Sequence, residues 1–108
     1  MILEEFQAFI DEQHAFFRKV KRQTTKDRVF ARTIKLGEEY GELCDAVLAS
    51  IGDQRRSKLA KEKPGNLEGE FADVLIVLFM LAKAMDVDVM KALDSKVAEI
   101  KKKYNKQV

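Results

Sequence analysis

Residues Val74 to Ala82 read VLIVLFMLA, an unbroken apolar run with no turn-forming residue in it. Upstream, Asn66 is suited to cap a helix, and the pattern predicts one from about Leu67 to Met85 with this run at its centre. Such a helix is apolar on every face and has to be surrounded. It is too short to cross a bilayer, which takes about 20 apolar residues. A chain of 108 residues builds one modest core, so residues 1–108 are expected to form a single domain. Four helices of one short chain struggle to enclose the run completely. The expectation is therefore a partner subunit that completes the core, most simply in a two-fold homodimer, or in a homotetramer built from such dimers.

The remaining helices follow from apolar spacing. Ile2, Leu3, Phe6, Phe9, Ile10, Phe16, Phe17 and Val20 recur every three or four residues among charged ones, which predicts an amphipathic first helix. At QTTKD, Thr24 or Thr25 is placed to cap a second helix with Asp27 in its first turn. That helix is expected from about Lys26 to Ile51, stopping at Gly52. Its apolar stripe, Phe30, Ile34, Gly37, Gly41, Cys44, Leu48 and Ile51, is widened by Leu36, Tyr40, Leu43 and Val47 to about half the circumference, so it must touch more than one neighbour. Gly37 and Gly41 each cost about 1 kcal/mol of helix propensity relative to alanine, and their place on the stripe reads as close helix packing. Asp86 or Asp88 begins a fourth helix through Val89, Met90, Leu93, Val97, Ile100 and Tyr104, closed by the cations of KKKYNK. No segment alternates long enough for a strand, and the fold class is all-α, a four-helix bundle.

Charge and cysteine content narrow the function classes. Lys and Arg number 20 against 18 Asp and Glu, and the net charge of +2 gives no reason by itself to expect nucleic acid or an anionic membrane as a partner. The basic stretch Arg55 to Lys63 has no interleaved aromatics and reads as a solvated loop, with reach over a bound triphosphate as the alternative. Cys44 is the one cysteine, so no internal disulfide forms, and its apolar neighbours suit a reduced cytoplasmic protein. MILEEFQ carries acids where a signal peptide needs a basic region, so secretion is not expected. His14 has no second histidine or nearby cysteine and reads as a surface residue, not a zinc ligand.

Chemistry concentrates in the acids. KLGEEYGELCDAV, Lys35 to Val47, crowds Glu38, Glu39 and Glu42 into about one helical turn. EGEFADV sets Glu70 and Asp73 at the same three-residue spacing just before the apolar run. If the two helices pack side by side, Glu39, Glu42, Glu70 and Asp73 converge. Two carboxylates about 4 Å apart repel by on the order of 4 kcal/mol at an effective dielectric of about 20, a cost that stability alone would not select. A divalent cation reverses the sign, and Mg²⁺ favours a few carboxylates together with water and phosphate oxygens. Acids on facing helices of a bundle are one way to hold it. Spacing alone leaves two readings open: a metal site, or solvated acids and ordinary helix-end charges.

The order KLGEEYGEL, then EGEFADVLIVLFMLAKAMDVDVMKAL, then SKVAEIKKKY resembles the MazG-like family of all-α nucleoside triphosphate pyrophosphohydrolases, over about Thr33 to Tyr104. The family's EExxE followed by ExxD falls on Glu38, Glu39 and Glu42, then on Glu70 and Asp73. The resemblance implies a four-helix bundle that hydrolyses a nucleoside triphosphate between its α and β phosphates, giving a nucleoside monophosphate and pyrophosphate. It implies Mg²⁺, with Mn²⁺ as a substitute, held by Glu39, Glu42, Glu70 and Asp73. Glu38 would bind a further ion or position and deprotonate the attacking water, which makes Glu38 and Glu39 the catalytic pair. Lys35, Lys96 and Lys103 would meet the substrate, although Lys35 reads equally as a surface lysine paired with Glu39. The implied role is house-cleaning of non-standard or surplus nucleotides.

Two departures keep rivals in view. Ile100 stands where many relatives carry an asparagine, and its side chain makes no hydrogen bond. Lys101 to Lys103 offer point charges nearby in place of the arginine fork. GEFADVLIVLFML also resembles the related phosphoribosyl-ATP pyrophosphohydrolases, but the histidine often found after their acidic motif is missing here. A non-catalytic helical interaction or regulatory module is the rival from another class, for which Ile100 speaks. Phe16, Phe17 and Tyr40 read as core aromatics, with stacking on a base as the alternative.

Overall fold

A computed structural model describes residues 1–52 and 66–107. The described residues form four helices, α1 (Leu3–Val20), α2 (Thr25–Ser50), α3 (Asn66–Ala84) and α4 (Val89–Gln107), and contain no strand. The fold is all-α, as the periodicity predicts. The basic stretch Arg55 to Lys63 lies outside the described residues.

Local chemistry accounts for four of the boundaries, while α1 starts after Ile2 with no side-chain cap. Thr24 caps α2, its Oγ1 accepting the Asp27 backbone N–H at 3.1 Å, and the Asp27 carboxylate lies in the positive first turn. The chain leaves α2 through Gly52, whose φ of +76° is the left-handed region that costs glycine nothing. Asp86 ends α3 at φ +59°, with the Val87 N–H donating to the Ala82 carbonyl at 2.9 Å and the Asp86 N–H to the Lys83 carbonyl at 3.2 Å. That closes α3 by a Schellman turn on a non-glycine residue. Of the two aspartates proposed to begin the fourth helix, Asp88 does so: its Oδ1 accepts the Lys91 backbone N–H at 3.0 Å.

Helix α3 packs mainly against α2 and secondarily against α1. Ile10, Ala46, Met80 and Ala82 are the buried apolar residues, and Phe6 meets Phe79 edge to face with ring centroids 4.9 Å apart. Polar ties fix the register. The Arg32 Nη1 donates to the Met80 carbonyl at 2.7 Å, Arg28 donates to the Lys21 carbonyl at 3.0 Å, and Lys83 pairs with Asp11 at 2.7 Å. The buried Arg28 thereby stitches the turn between α1 and α2 to the helix that follows.

Much of the predicted core is uncovered within one chain. On α3, Phe71, Leu75 and Leu78 form an exposed row at four- and three-residue spacing. On α2, Phe30, Ile34 and Leu48 are exposed, as is Ile51 just past its end, and on α4 so are Leu93, Val97, Ile100 and Tyr104. Among the described residues, nothing beyond the glycine's own stretch of helix lies within 4 Å of where a Cβ of Gly37 or Gly41 would stand, so the close packing read from them is not made there. The radius of gyration is 17.3 Å, against about 13 Å for a compact domain of this length. Among the described residues, no helix is long and apolar enough to cross a membrane.

Candidate active site

Because α2 and α3 lie side by side, their acidic turns meet. Carboxylate oxygens of Glu39, Glu70 and Asp73 lie within 4.8 Å of one another. The three environments differ: Glu39 is buried, Glu70 half-buried and Asp73 exposed. Glu39 Oε1 takes the Lys35 ammonium at 3.1 Å, one helical turn earlier. Glu39 Oε2 and Glu70 Oε2 are out of water with no donor. A carboxylate oxygen in that state has lost its hydration and gained nothing, which costs on the order of 1–3 kcal/mol or more for a charged group. The donor set, oxygen only and anionic, fits a hard divalent cation and gives such a cation two unengaged ligands at once.

The neighbouring predicted residues group around this centre unequally. Glu42 is exposed, and its carboxyl is pushed above the usual glutamate range, first by the Glu39 charge, then by burial and by Glu70. It belongs electrostatically with the cluster. Glu38 is exposed, is held by Lys35 at 3.7 Å, and lies outside the three-carboxylate group. Lys35 therefore bridges two acids, and hydrogen bonding and charge from Glu39 raise its pKa, with Glu38 and Glu42 adding to the effect. Lys96 pairs with Glu99 at 3.4 Å on its own helix, and Lys103 is exposed on that helix. Among the described residues, no ion pair joins either lysine to the acids.

Next to Lys35 opens a cavity of about 380 Å³ between α1, α2 and α3. Phe9, Phe17, Ile76 and Met80 line it with apolar surface, and Arg32 and Lys35 contribute cations. Its size falls in the range of small-molecule sites, about 300–1,000 Å³. Of the aromatics with two readings, Phe17 lines this cavity, whereas Phe16, edge-on to Phe17 at 5.5 Å, and Tyr40 are exposed.

Sequence reasoning missed Arg32 and misplaced His14. His14 is half-buried, with its Nδ1 3.0 Å from Arg32 Nη1, and the two residues join α1 to α2 beside the cavity. Burial lowers the His14 pKa, and the charges of Arg32, Arg18, Arg28 and Lys83 lower it further. The neutral ring then accepts from the guanidinium. The signal for Arg32 was an arginine one turn after Arg28 on a partly apolar helix, too common a pattern to single out. A larger, more open depression of about 1,220 Å³ is lined by His14, Arg18, Arg28, Lys83 and Asp86 among others. Arg28 precedes Glu39 by eleven positions, about 16 Å along a helix, so this depression is remote from the carboxylates.

The family model described as MazG nucleotide pyrophosphohydrolase domain matches residues 29–107, which contain α2 from Val29 onward, α3 and α4, with Glu38, Glu39, Glu42, Glu70 and Asp73. Among curated proteins nothing matches the chain significantly, and the same holds among solved structures.

Proposed function

The chain belongs to the MazG nucleotide pyrophosphohydrolase family, and from that premise we propose that it is a Mg²⁺-dependent hydrolase of nucleoside triphosphates, cleaving between the α and β phosphates to release pyrophosphate. The observation that carries the proposal is the pair of buried, donorless oxygens, Glu39 Oε2 and Glu70 Oε2, in a cluster with Asp73. Glu39, Glu42, Glu70 and Asp73 would hold the metal, with Mn²⁺ as a substitute for Mg²⁺. The ion's contribution when bound is to neutralise phosphate charge and to lower the pKa of bound water. Glu38, exposed and next to Glu39, is assigned the positioning and deprotonation of the attacking water. Lys35 offsets the Glu39 charge in the free protein and turns to a phosphate oxygen when that carboxylate is engaged. The adjoining cavity takes the nucleoside. Lys96 and Lys103 would reach a phosphate only where α4 meets a site in the assembled protein.

Assembly is part of the proposal. The accessible surface is 8625 Å², against about 6,100 Å² for a folded monomer of this mass. That is more uncovered surface than a folded monomer carries, as expected if copies of the chain associate. The exposed rows on α2, α3 and α4 supply apolar surface for that association. We therefore propose a homodimer, or a tetramer of such dimers, with a house-cleaning role toward surplus or non-standard nucleotides in the cytoplasm. The test is pyrophosphate release from a panel of nucleoside triphosphates, with and without Mg²⁺. Metal-dependent release that Glu39→Gln and Asp73→Asn each abolish is the expected result. No turnover of any nucleotide would turn the reading to a non-catalytic helical module, and turnover of phosphoribosyl-ATP alone would turn it to the related histidine-pathway activity.

A further inference from the structure

Arg32 enters the cavity lining with its donors unevenly used. Its Nη1 is committed to the Met80 carbonyl at 2.7 Å and to His14 Nδ1 at 3.0 Å, while its Nη2 is out of water with no acceptor. A guanidinium accepts no hydrogen bond, and a donor of this charge without a partner in a partly buried place is costly. The rest of the lining does not relieve it. Among the described residues, the cavity carries Lys21, Arg28 and Lys35 besides Arg32 and no carboxylate, so the side-chain acceptors they offer are the amides of Gln13 and Gln23. Its apolar walls suit the flat faces of a heterocycle. Arg32 precedes Glu39 by seven residues, about 10 Å along α2, with Lys35 between them. A nucleotide with its phosphates at the carboxylates therefore brings its base to the Arg32 end.

We infer that Arg32 is a specificity-determining residue and that the cavity selects oxo bases, the 6-oxopurines and 4-oxopyrimidines, over their amino counterparts. The inference rests on the nucleotide reading of this site. An oxo group is acceptor-only and satisfies a donor-only guanidinium, once a bound base draws toward the cavity the Nη2 that the free protein keeps out of water. An exocyclic amine in its place presents donor to donor and leaves both groups unpaired, which is where polar sites discriminate most strongly. Arginine paired to the O6 and N7 of guanine shows the same complementarity in nucleic-acid recognition.

The test uses base pairs that differ by one oxygen-for-amine exchange, ITP against ATP and UTP against CTP, with the intact protein. The expected kcat/KM favours the oxo member of each pair tenfold or more. In Arg32→Met the ratio falls to within about twofold, whatever happens to absolute activity, since a lost donor–acceptor match of this kind carries roughly a factor of ten or more. Arg32→Lys, which keeps a charge to hold the Met80 carbonyl, serves if Arg32→Met does not fold, and it should lower the ratio without abolishing it. A second arm needs neither metal nor turnover. His14 is the one histidine of the chain and touches Arg32, so its ring NMR signals report on the cavity. Inosine and uridine are expected to shift them at lower concentration than adenosine and cytidine. If no nucleotide is hydrolysed yet inosine outcompetes adenosine at His14, the pyrophosphohydrolase reading fails and the Arg32 inference stands. Equal rates within both pairs, amino preference, or oxo preference unchanged in Arg32→Met overturns the inference while leaving hydrolysis intact.

Discussion

Replacing Glu70 with glutamine should make the metal-free protein more stable while removing its response to Mg²⁺. Glu70 lies within 4.8 Å of both Glu39 and Asp73 and has one oxygen buried without a donor. At 4.8 Å, two unit charges repel by about 3.5 kcal/mol at an effective dielectric of 20 and by about 0.9 kcal/mol in water. The Glu39 pair belongs nearer the first figure because Glu39 is buried, although Lys35 on its other oxygen offsets part of it. The Asp73 pair belongs nearer the second because Asp73 is exposed. The new amide also brings N–H donors toward the unpartnered Glu39 Oε2, and a hydrogen bond to a charged group contributes about 1.5–3 kcal/mol where its geometry is good. Against these stands the imperfect fit of any substitution, and the net expectation is a gain of about 1–3 kcal/mol in EDTA. For a domain near this length each kcal/mol moves Tm by roughly 4–8 °C. The assay is thermal unfolding of wild type and Glu70→Gln at one fixed protein concentration, in EDTA and in millimolar Mg²⁺. Wild type should gain from Mg²⁺, by about 2.7 kcal/mol at a hundredfold excess over Kd, and the variant should gain little. The lead of the variant in EDTA should then close or reverse in Mg²⁺. A variant less stable than wild type in EDTA would refute the premise that uncompensated carboxylates strain the free protein.

Two further outcomes follow from other parts of the molecule. The lowered pKa of His14 means that the unfolded chain takes up the proton first, so stability should fall as pH drops below about 6.5 toward the lowered folded value. Glu42, with a raised pKa, contributes a slope of opposite sign nearer the glutamate range, so the His14 component is read as the difference between the urea midpoints of wild type and His14→Asn across pH 5 to 7.5. Identical pH profiles for the two proteins would show that His14 does not couple to folding. Analytical ultracentrifugation at micromolar concentration should give a species of at least two chains, and Leu75→Glu with Leu78→Glu should shift it toward monomer with loss of stability; a monomeric wild type would dismiss the uncovered α3 row as an interface.

How far the molecule was readable from its residues depends on the range of the interaction concerned. The caps were legible because they act over three residues: Thr24 on the Asp27 N–H, Gly52 at positive φ, Asp88 on the Lys91 N–H. The acidic pairs were visible because helical spacing puts Glu39 near Glu42 and Glu70 near Asp73, but which of them converge waited on α3 lying beside α2, and Glu42 stays outside the group formed by Glu39, Glu70 and Asp73. The Gly37 and Gly41 reading was half complete. The stripe they belong to is real, but among the described residues nothing from another helix comes within 4 Å of the place of a Cβ at either glycine, and periodicity does not say what covers a face.

The sequence by itself determined the helices, their ends, the family pattern and the surplus of apolar surface, since all of these are set by neighbours one or two turns away. Only the tertiary structure decided that Glu39 is the buried member of the acidic set while Asp73 is exposed, and that Glu38 stands apart, because burial depends on where α3 lies across α2. It also decided that His14 and Arg32, eighteen residues apart and unremarkable in sequence, meet beside an apolar cavity. Neither residue carries a local pattern that announces the other. Their roles arise from the desolvation and the missing acceptor that packing three helices together imposes.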